Sequence, residues 1–303
     1  MRSAGFAPLA PRRLFVFGLG YTGLALAARC LAEGWQVAGT CRGDEKRRRL
    51  RAAGIDAHVF TRDAPLADAD AALAGTTHLL STVPPDEWGD PVLDAHAGHF
   101  TGLAGLRWAG VVSTTGVYGD RGGSWVDETS DLAPTGVRGR RRVQAEGTWF
   151  ARASEGLPVH IFRAAGIYGP GRSPLDQLRT GAAHRIDKPG QVFSRIHVDD
   201  LVAVLAASMA RPRPGAVYNV CDDEPASPAE VTAHAAALLG IAPPPLVPFA
   251  DAELSDLARS FYADNKRVRN DRIKSELGVV LRYPDYRAGL ASILAEESSG
   301  ASS

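Results

Sequence analysis

Leu14-Phe15-Val16-Phe17-Gly18-Leu19-Gly20-Tyr21-Thr22-Gly23 is the stretch on which the fold turns. Its apolar residues 14–17 form a strand buried on both faces, and the chain then breaks into Gly-x-Gly-x-x-Gly. Leu24, Ala27, Ala28 and Leu31 follow at helical spacing, so strand, glycine turn and amphipathic helix stand in direct succession. The bare glycine pattern is weak evidence, and this context gives it meaning. Gly18 permits the tight turn, Gly20 lets the backbone approach a pyrophosphate, and Gly23 lets helix and strand pack closely. Leu19, Tyr21 and Thr22 complete a turn whose helix N-terminus faces the phosphates of a nicotinamide dinucleotide. A site that prefers NAD carries an Asp or Glu about 20 residues further on to hold the ribose hydroxyls. Thr40, Cys41 and Arg42 stand there instead. With Arg42 free to pair with a 2′-phosphate, a preference for NADP(H) is expected, NAD(H) staying possible; the alternative for Arg42 is a solvated surface arginine.

Outward from the turn, short apolar runs alternate with amphipathic segments, in the rhythm of a parallel sheet with crossover helices. Strands are expected at 14–17, 36–40, 57–60, 78–82, 110–113 and 159–162, and a short one at 216–220 returns to the sheet. Helices at 22–33 and 45–53 close on Gly34 and Gly54, as left-handed C-caps. The fold class is α/β, a Rossmann-type doubly wound parallel sheet with a smaller C-terminal substrate lobe. The expected division is a flexible tail at 1–12, the dinucleotide-binding domain at 13–166 with strand 216–220, the lobe at 167–215 and 221–294, and a flexible tail at 295–303. Ala-rich helices are expected at 201–210 and 228–239.

The 303 residues carry 34 basic and 34 acidic side chains, so no net field draws the chain to nucleic acid or to an anionic membrane. Arg138, Arg140, Arg141 and Arg142 form a basic run without aromatic interleaving, which also speaks against nucleic acid. The three cysteines lack metal or disulfide spacing, and nothing reaches membrane-spanning length, so the cytoplasm is the expected location.

Further motifs follow in order: Ser113-Thr114-Thr115-Gly116-Val117-Tyr118-Gly119, Val126-Asp127-Glu128, Tyr168-Gly169-Pro170-Gly171, Ile196-His197-Val198-Asp199-Asp200 and Tyr218-Asn219-Val220. On these and the glycine turn, over nearly its whole length, the chain resembles the extended short-chain dehydrogenase/reductase family, the NAD-dependent epimerase/dehydratase group. The resemblance implies cofactor contacts from Ser81, Thr82, Val83, Pro84, Ser113, Ala165 and Gly166, and a catalytic hydroxyl at Thr114 or Thr115. It also implies a tyrosine and, four residues later, a lysine on the next helix. Counting back from Glu146, those positions hold Arg138 and Arg142, as in an atypical subgroup lacking the Tyr-x-x-x-Lys pair. A guanidinium stays protonated and cannot shuttle a proton as a phenol does. Arg138 and Arg142 share one helix face, where they can bind an anion together or, for Arg142, replace the lysine at the nicotinamide ribose.

Tyr168, ahead of Tyr118, is then the candidate phenol for proton transfer, with a packing role as the alternative. Arg138, Arg172 and Arg195, with Lys188, are substrate candidates. No metal site is expected: Asp200 is read as the N-cap of the helix that follows, and Asp94, His96 and His99 as surface residues. Two readings stand. One is an NADP(H)-dependent oxidoreductase or epimerase/dehydratase on a polar, sugar-like or anionic small molecule; the other is a catalytically inactive NADP(H)-binding sensor or regulatory protein. The resemblance also makes a homodimer plausible.

Overall fold

Strand β1 (Arg13–Phe17) is buried from Leu14 onward and leads through the glycine turn into α1 (Tyr21–Ala32). The computed structural model describes residues 12–300, so residues 1–11 and 301–303 of the expected tails lie outside the described residues. Alternation continues through β2 (Gln36–Cys41), α2 (Asp44–Ala52), β3 (Asp56–Val59), α3 (Ala69–Leu73), β4 (His78–Ser81), α4 (Pro91–Phe100) and β5 (Trp108–Thr114). Then come β6 (Trp125–Val126), α5 (Val137–Ser154), β7 (Val159–Ala164), β8 (Gly166–Tyr168), α6 (Pro174–Arg179), β9 (Arg185–Asp187) and β10 (Arg195–His197). The chain ends with α7 (Val198–Ala210), β11 (Val217–Val220), α8 (Pro228–Leu238), β12 (Leu246–Pro248), α9 (Asp256–Tyr262), β13 (Arg267–Val268), α10 (Asp271–Leu277) and α11 (Tyr286–Gly300).

Seven strands make the central sheet in the order β11-β7-β5-β4-β1-β2-β3, every pairing parallel. This is the doubly wound α/β arrangement, with 217–220 as its seventh strand. The order reverses between β1 and β4, which opens a crevice at their carboxyl ends, where such sheets bind ligands. Gly34 and Gly54 close α1 and α2 at φ of 77° and 81°, as glycine alone does readily.

One face of the sheet buries Leu14, Val16, Val37 and Leu80 with Leu26 of α1; the other buries Phe15, Phe17, Leu79 and Val111 with Phe100 and Trp149. Leu201 and Leu205 of α7, with Ile273 and Leu277 of α10, complete the α1 layer. Both helices lie in stretches read as the smaller lobe, yet their apolar faces belong to the sheet's core. Tyr168, Leu175, Val231, Tyr286 and Leu290 form a separate core in the C-terminal part.

Helix α7 begins three residues before the place that an Asp200 cap requires. His197 is the N-cap, its Nδ1 accepting the Asp199 N–H at 3.2 Å. Buried Asp200 instead accepts the N–H groups of Arg282 and Tyr283 at 2.8 and 2.9 Å, tying a distant segment to α7. Helix α11 runs on through Glu296 and Glu297, and Arg179 meets Glu297 at 2.6 Å. Among the described residues no helix is long and apolar enough to cross a membrane.

Candidate functional site

The three glycines of the turn divide the work. A Cβ at Gly18 (φ +90°) would stand 2.6 Å from Thr82 Oγ1, and one at Gly23 would stand 2.5 Å from the Gly18 carbonyl. At Gly20 nothing lies nearer than 4.0 Å. Gly18 and Gly23 are therefore needed for packing, while the space over Gly20 is open to a ligand. Helix α1 starts there with Gly20 as N-cap and no side-chain cap, so its first-turn donors face the crevice. The turn is pinned from both sides. Thr40 Oγ1 accepts the Gly18 N–H at 2.9 Å, the Leu19 N–H reaches the Thr40 carbonyl at 2.7 Å, and Thr82 Oγ1 donates to the Gly18 carbonyl at 2.7 Å. A Cβ at Gly39 would lie 2.4 Å from the Val16 carbonyl, a constraint across two strands that the sequence reading missed. This cradle fits a dinucleotide diphosphate.

Arg42 is exposed just past β2, and among the described residues it has no hydrogen bond or ion pair. On α2, Arg47 meets Asp44 at 2.8 Å, Arg49 meets Glu45 at 3.7 Å and Arg51 donates to the Ala57 carbonyl at 2.9 Å. At the end of β4, Ser81 Oγ is buried without a partner among the described residues; just past it Val83 is half-buried and Pro84 is exposed. Beyond β7, the N–H of Ala165 reaches Val220 at 3.0 Å and that of Gly166 reaches Ser194 at 3.2 Å, and Gly166 lies exposed.

At the end of β5 the hydroxyls have different fates. Ser113 donates to Glu146 Oε1 at 2.5 Å, and Arg163 meets the same carboxylate at 2.8 Å. Arg163 also donates to the Tyr118 hydroxyl at 3.0 Å, which donates to Asn219 Oδ1 at 2.7 Å. This buried network joins β5, α5, β7 and β11, and it occupies Ser113 and Tyr118. Thr114 Oγ1 accepts the Gly116 N–H at 3.1 Å, and its proton has no acceptor among the described residues. Thr115 stands half-buried beside it without a side-chain hydrogen bond.

On α5, Arg142 donates to the Val112 carbonyl at 3.0 Å; burial pushes its guanidinium pKa down. Arg138, one turn earlier, is exposed, 5.7 Å from the Phe261 ring of α9, with no carboxylate partner among the described residues. The two arginines share a face, but one is held to β5 and the other stands at the mouth under α9. Sequence spacing had no signal for Phe261, nor for Lys266, which holds the Gly119 carbonyl at 2.8 Å and Asp264 at 3.1 Å.

Tyr168, expected as the acid, packs in the C-terminal core, edge-on to His197 at 5.2 Å. Its hydroxyl points to the Asp285 carbonyl at 3.5 Å, and burial pushes its pKa well up. Arg195 donates to the carbonyls of Phe193 and Ala226 at 2.7 and 3.0 Å. Lys188 donates to the Tyr262 carbonyl. Arg172 lies not beside these but over the ring of Tyr21, at 5.5 Å. His96, read as a surface residue, is buried between Phe17 and Phe60, while Asp94 meets Arg62 at 2.9 Å and His99 meets Asp70 at 2.7 Å. Asp94 lies on one helix face and His96 on the opposite one, so they share no ligand.

The chain matches no family model. It is 29% identical over 284 residues to protein YeeZ of Escherichia coli K12, covering 90% of this chain and 97% of that one. It is 52% identical to a functionally unknown conserved protein from Silicibacter pomeroyi DSS, with a TM-score of 0.87 over 94% of this chain and 99% of that one. A proposed NAD-dependent epimerase/dehydratase from Methylobacillus flagellatus is 26% identical, with a TM-score of 0.72 over 96% and 100% of the two chains. MoeE5 in complex with UDP-glucose and NAD, at 21% identity and a TM-score of 0.73 over 95% and 99%, shares the fold. Solved structures that share the fold also include a dTDP-glucose 4,6-dehydratase from Bacillus anthracis in complex with NAD.

Proposed function

We propose, from the premise that the chain belongs to one family with the Silicibacter pomeroyi protein, that it is an NADP(H)-dependent oxidoreductase or epimerase/dehydratase. Its substrate is a polar, sugar-like or anionic small molecule, and its catalytic residues are not the usual tyrosine and lysine. The observation that carries this reading is the open cradle at Gly20 under the uncapped end of α1, with unpaired Arg42 at the end of β2. When bound, the nicotinamide supplies a two-electron donor or acceptor. The chain supplies the rest. Arg42 pairs with the 2′-phosphate, whose oxygens suit a guanidinium fork. Arg142 takes the place of the lysine beside the ribose, and Thr114 presents a hydroxyl proton at the end of β5. Arg138 meets an anionic group of the substrate. NAD and UDP-glucose bound together on the same fold in MoeE5 support the pairing of cofactor and polar ligand. Three free, buried cysteines accord with a reducing cytoplasm.

Fluorescence titration with NADPH and NADH tests the cofactor. NADPH binds about tenfold or more tightly than NADH, and Arg42→Ala removes the difference. NADH binding as tightly as NADPH sinks the preference. The sensor reading is favoured by the occupation of Ser113 and Tyr118 and by the burial of Tyr168, which leave no phenol at β5. Consumption of NADPH, or conversion of a sugar nucleotide with NADP+ bound and no net change in the cofactor, over a panel of sugar nucleotides and carbonyl acids selects the enzyme. Tight binding without any turnover selects the sensor.

A further inference from the structure

Tyr21 opens α1, yet its side chain reaches across to the smaller lobe. The hydroxyl donates to the Pro170 carbonyl at 3.0 Å, and the Arg172 guanidinium lies 5.5 Å from the ring centroid. A Cβ at Gly169 would stand 2.5 Å from that hydroxyl, so the loop closes on the tyrosine with only a glycine's width to spare. The loop is stiff. Gly169 and Arg172 exchange backbone hydrogen bonds at 3.2 and 3.0 Å, β8 pairs with β10 just before it, and Ser173 caps α6 just after it.

Arg172 is exposed, and among the described residues its guanidinium has neither a carboxylate nor a carbonyl to hold. Three other cations of the lobe are committed: Arg179 to Glu297, Arg195 to two carbonyls and Lys188 to the Tyr262 carbonyl. A guanidinium held over a ring without a hydrogen-bonding partner keeps its fork of donors free, which prepares it for a planar or phosphate anion. The anion expected beside Tyr21 is the one that the open space over Gly20 and the uncapped donors of α1 receive.

We propose that Arg172 is a ligand of the cofactor's diphosphate, carried into the dinucleotide site from the smaller lobe by its position over the Tyr21 ring, and not a substrate residue. This rests on the dinucleotide assignment above. The loop 169–172 is then a clasp that joins the lobe proposed to take the substrate to the phosphates of the cofactor.

Titration of NADP+ and NAD+ against Arg172→Ala in the full chain tests it. Both dinucleotides carry the same diphosphate, so both weaken by the same factor, about ten- to hundredfold. Arg42→Ala, in contrast, moves NADP+ alone. Arg172→Lys recovers only part of the loss, because an ammonium neither stacks as a plane nor donates as a fork. Tyr21→Phe keeps the ring and loses the tether to Pro170, so it weakens binding less than Arg172→Ala does. The melting temperature of Arg172→Ala stays that of the parent, since the side chain is exposed. Unchanged affinity of Arg172→Ala for both dinucleotides overturns the proposal, as does a loss confined to the Michaelis constant of a substrate. A parent protein that binds neither dinucleotide overturns the cofactor assignment itself, a result distinct from the other two.

Discussion

Ser113 and Tyr118 stand at the carboxyl end of the sheet and look available for chemistry in the sequence, yet both serve the Glu146–Arg163 pair. Taking two such charges out of water is costly unless each donor and acceptor is met. Here Arg163 Nη2 and Nε reach Glu146 at 2.8 and 3.2 Å, Nη1 reaches Tyr118, and Ser113 supplies a further donor to the carboxylate. Removing one partner strands the other. Arg163→Met is therefore expected to lower stability by about 3–5 kcal/mol, whereas Arg163→Met with Glu146→Leu costs less than the single change. Urea unfolding of the single and double variants measures this; a double variant less stable than Arg163→Met refutes it. None of these partners is readable from spacing, because Ser113, Glu146, Arg163 and Asn219 lie on four different elements. Glu146 served in the sequence only to mark the register of Arg138 and Arg142.

The strand, turn and helix at residues 13–32 were legible because their constraints are local: Gly18 meets its own turn and Gly23 meets Gly18 and Val16. Two alanine substitutions separate packing from binding. Gly20→Ala enters open space, so stability stays within about 0.5 kcal/mol while dinucleotide affinity falls at least about tenfold. Gly23→Ala gains about 1 kcal/mol of helix propensity but forces a contact at 2.5 Å, a strain of about 1–3 kcal/mol, so it lowers both stability and binding. Thermal melts and NADP+ titration of the two variants decide it; equal melting temperatures would contradict the division of labour. Elements whose ends are set by distant chain were read less well. The start of α7 shifted because Asp200 serves the amides of Arg282 and Tyr283, and the surroundings of Arg138 depend on Phe261 of α9. Hydrophobic period located α7 but could not say which core it joins.

Across the whole molecule, buried titratable groups set a pH profile with two limbs. His160 holds the Pro158 carbonyl through Nδ1 at 2.9 Å and accepts the Arg213 N–H at Nε2 at 2.8 Å, a pattern only the neutral ring satisfies. Burial lowers its pKa from 6.5 to about 4, and burial does the same for His78 and His96. The unfolded chain thus takes these protons first, so the stability they contribute is full above about pH 6.5 and drains as pH falls toward 4. Asp222 runs the other way. Burial raises its carboxyl from 3.8 to about 8, and Oδ2 has no partner; its contribution is present in acid and is lost as pH rises from about 4 to 8. Asp222→Asn should therefore gain stability relative to the parent as pH rises from 6 to 8, and a melting-temperature difference that stays flat over that range removes the assignment. The doubly wound sheet itself, with the strand at 216–220, was plain in the sequence, whereas the sharing of its core by α7 and α10 was not. That sharing governs how the chain is made. While a ribosome has released only the residues up to β7, the sheet lacks its outermost strand and α1 lacks the helix beside it, so β7 keeps an open pairing edge and the side of α1 that α7 covers stays wet. The nucleotide-binding half does not mature ahead of the rest; it waits for the late-emerging segment, and a gene product cut short near residue 166 is a sticky fragment, not a small cofactor-binding protein.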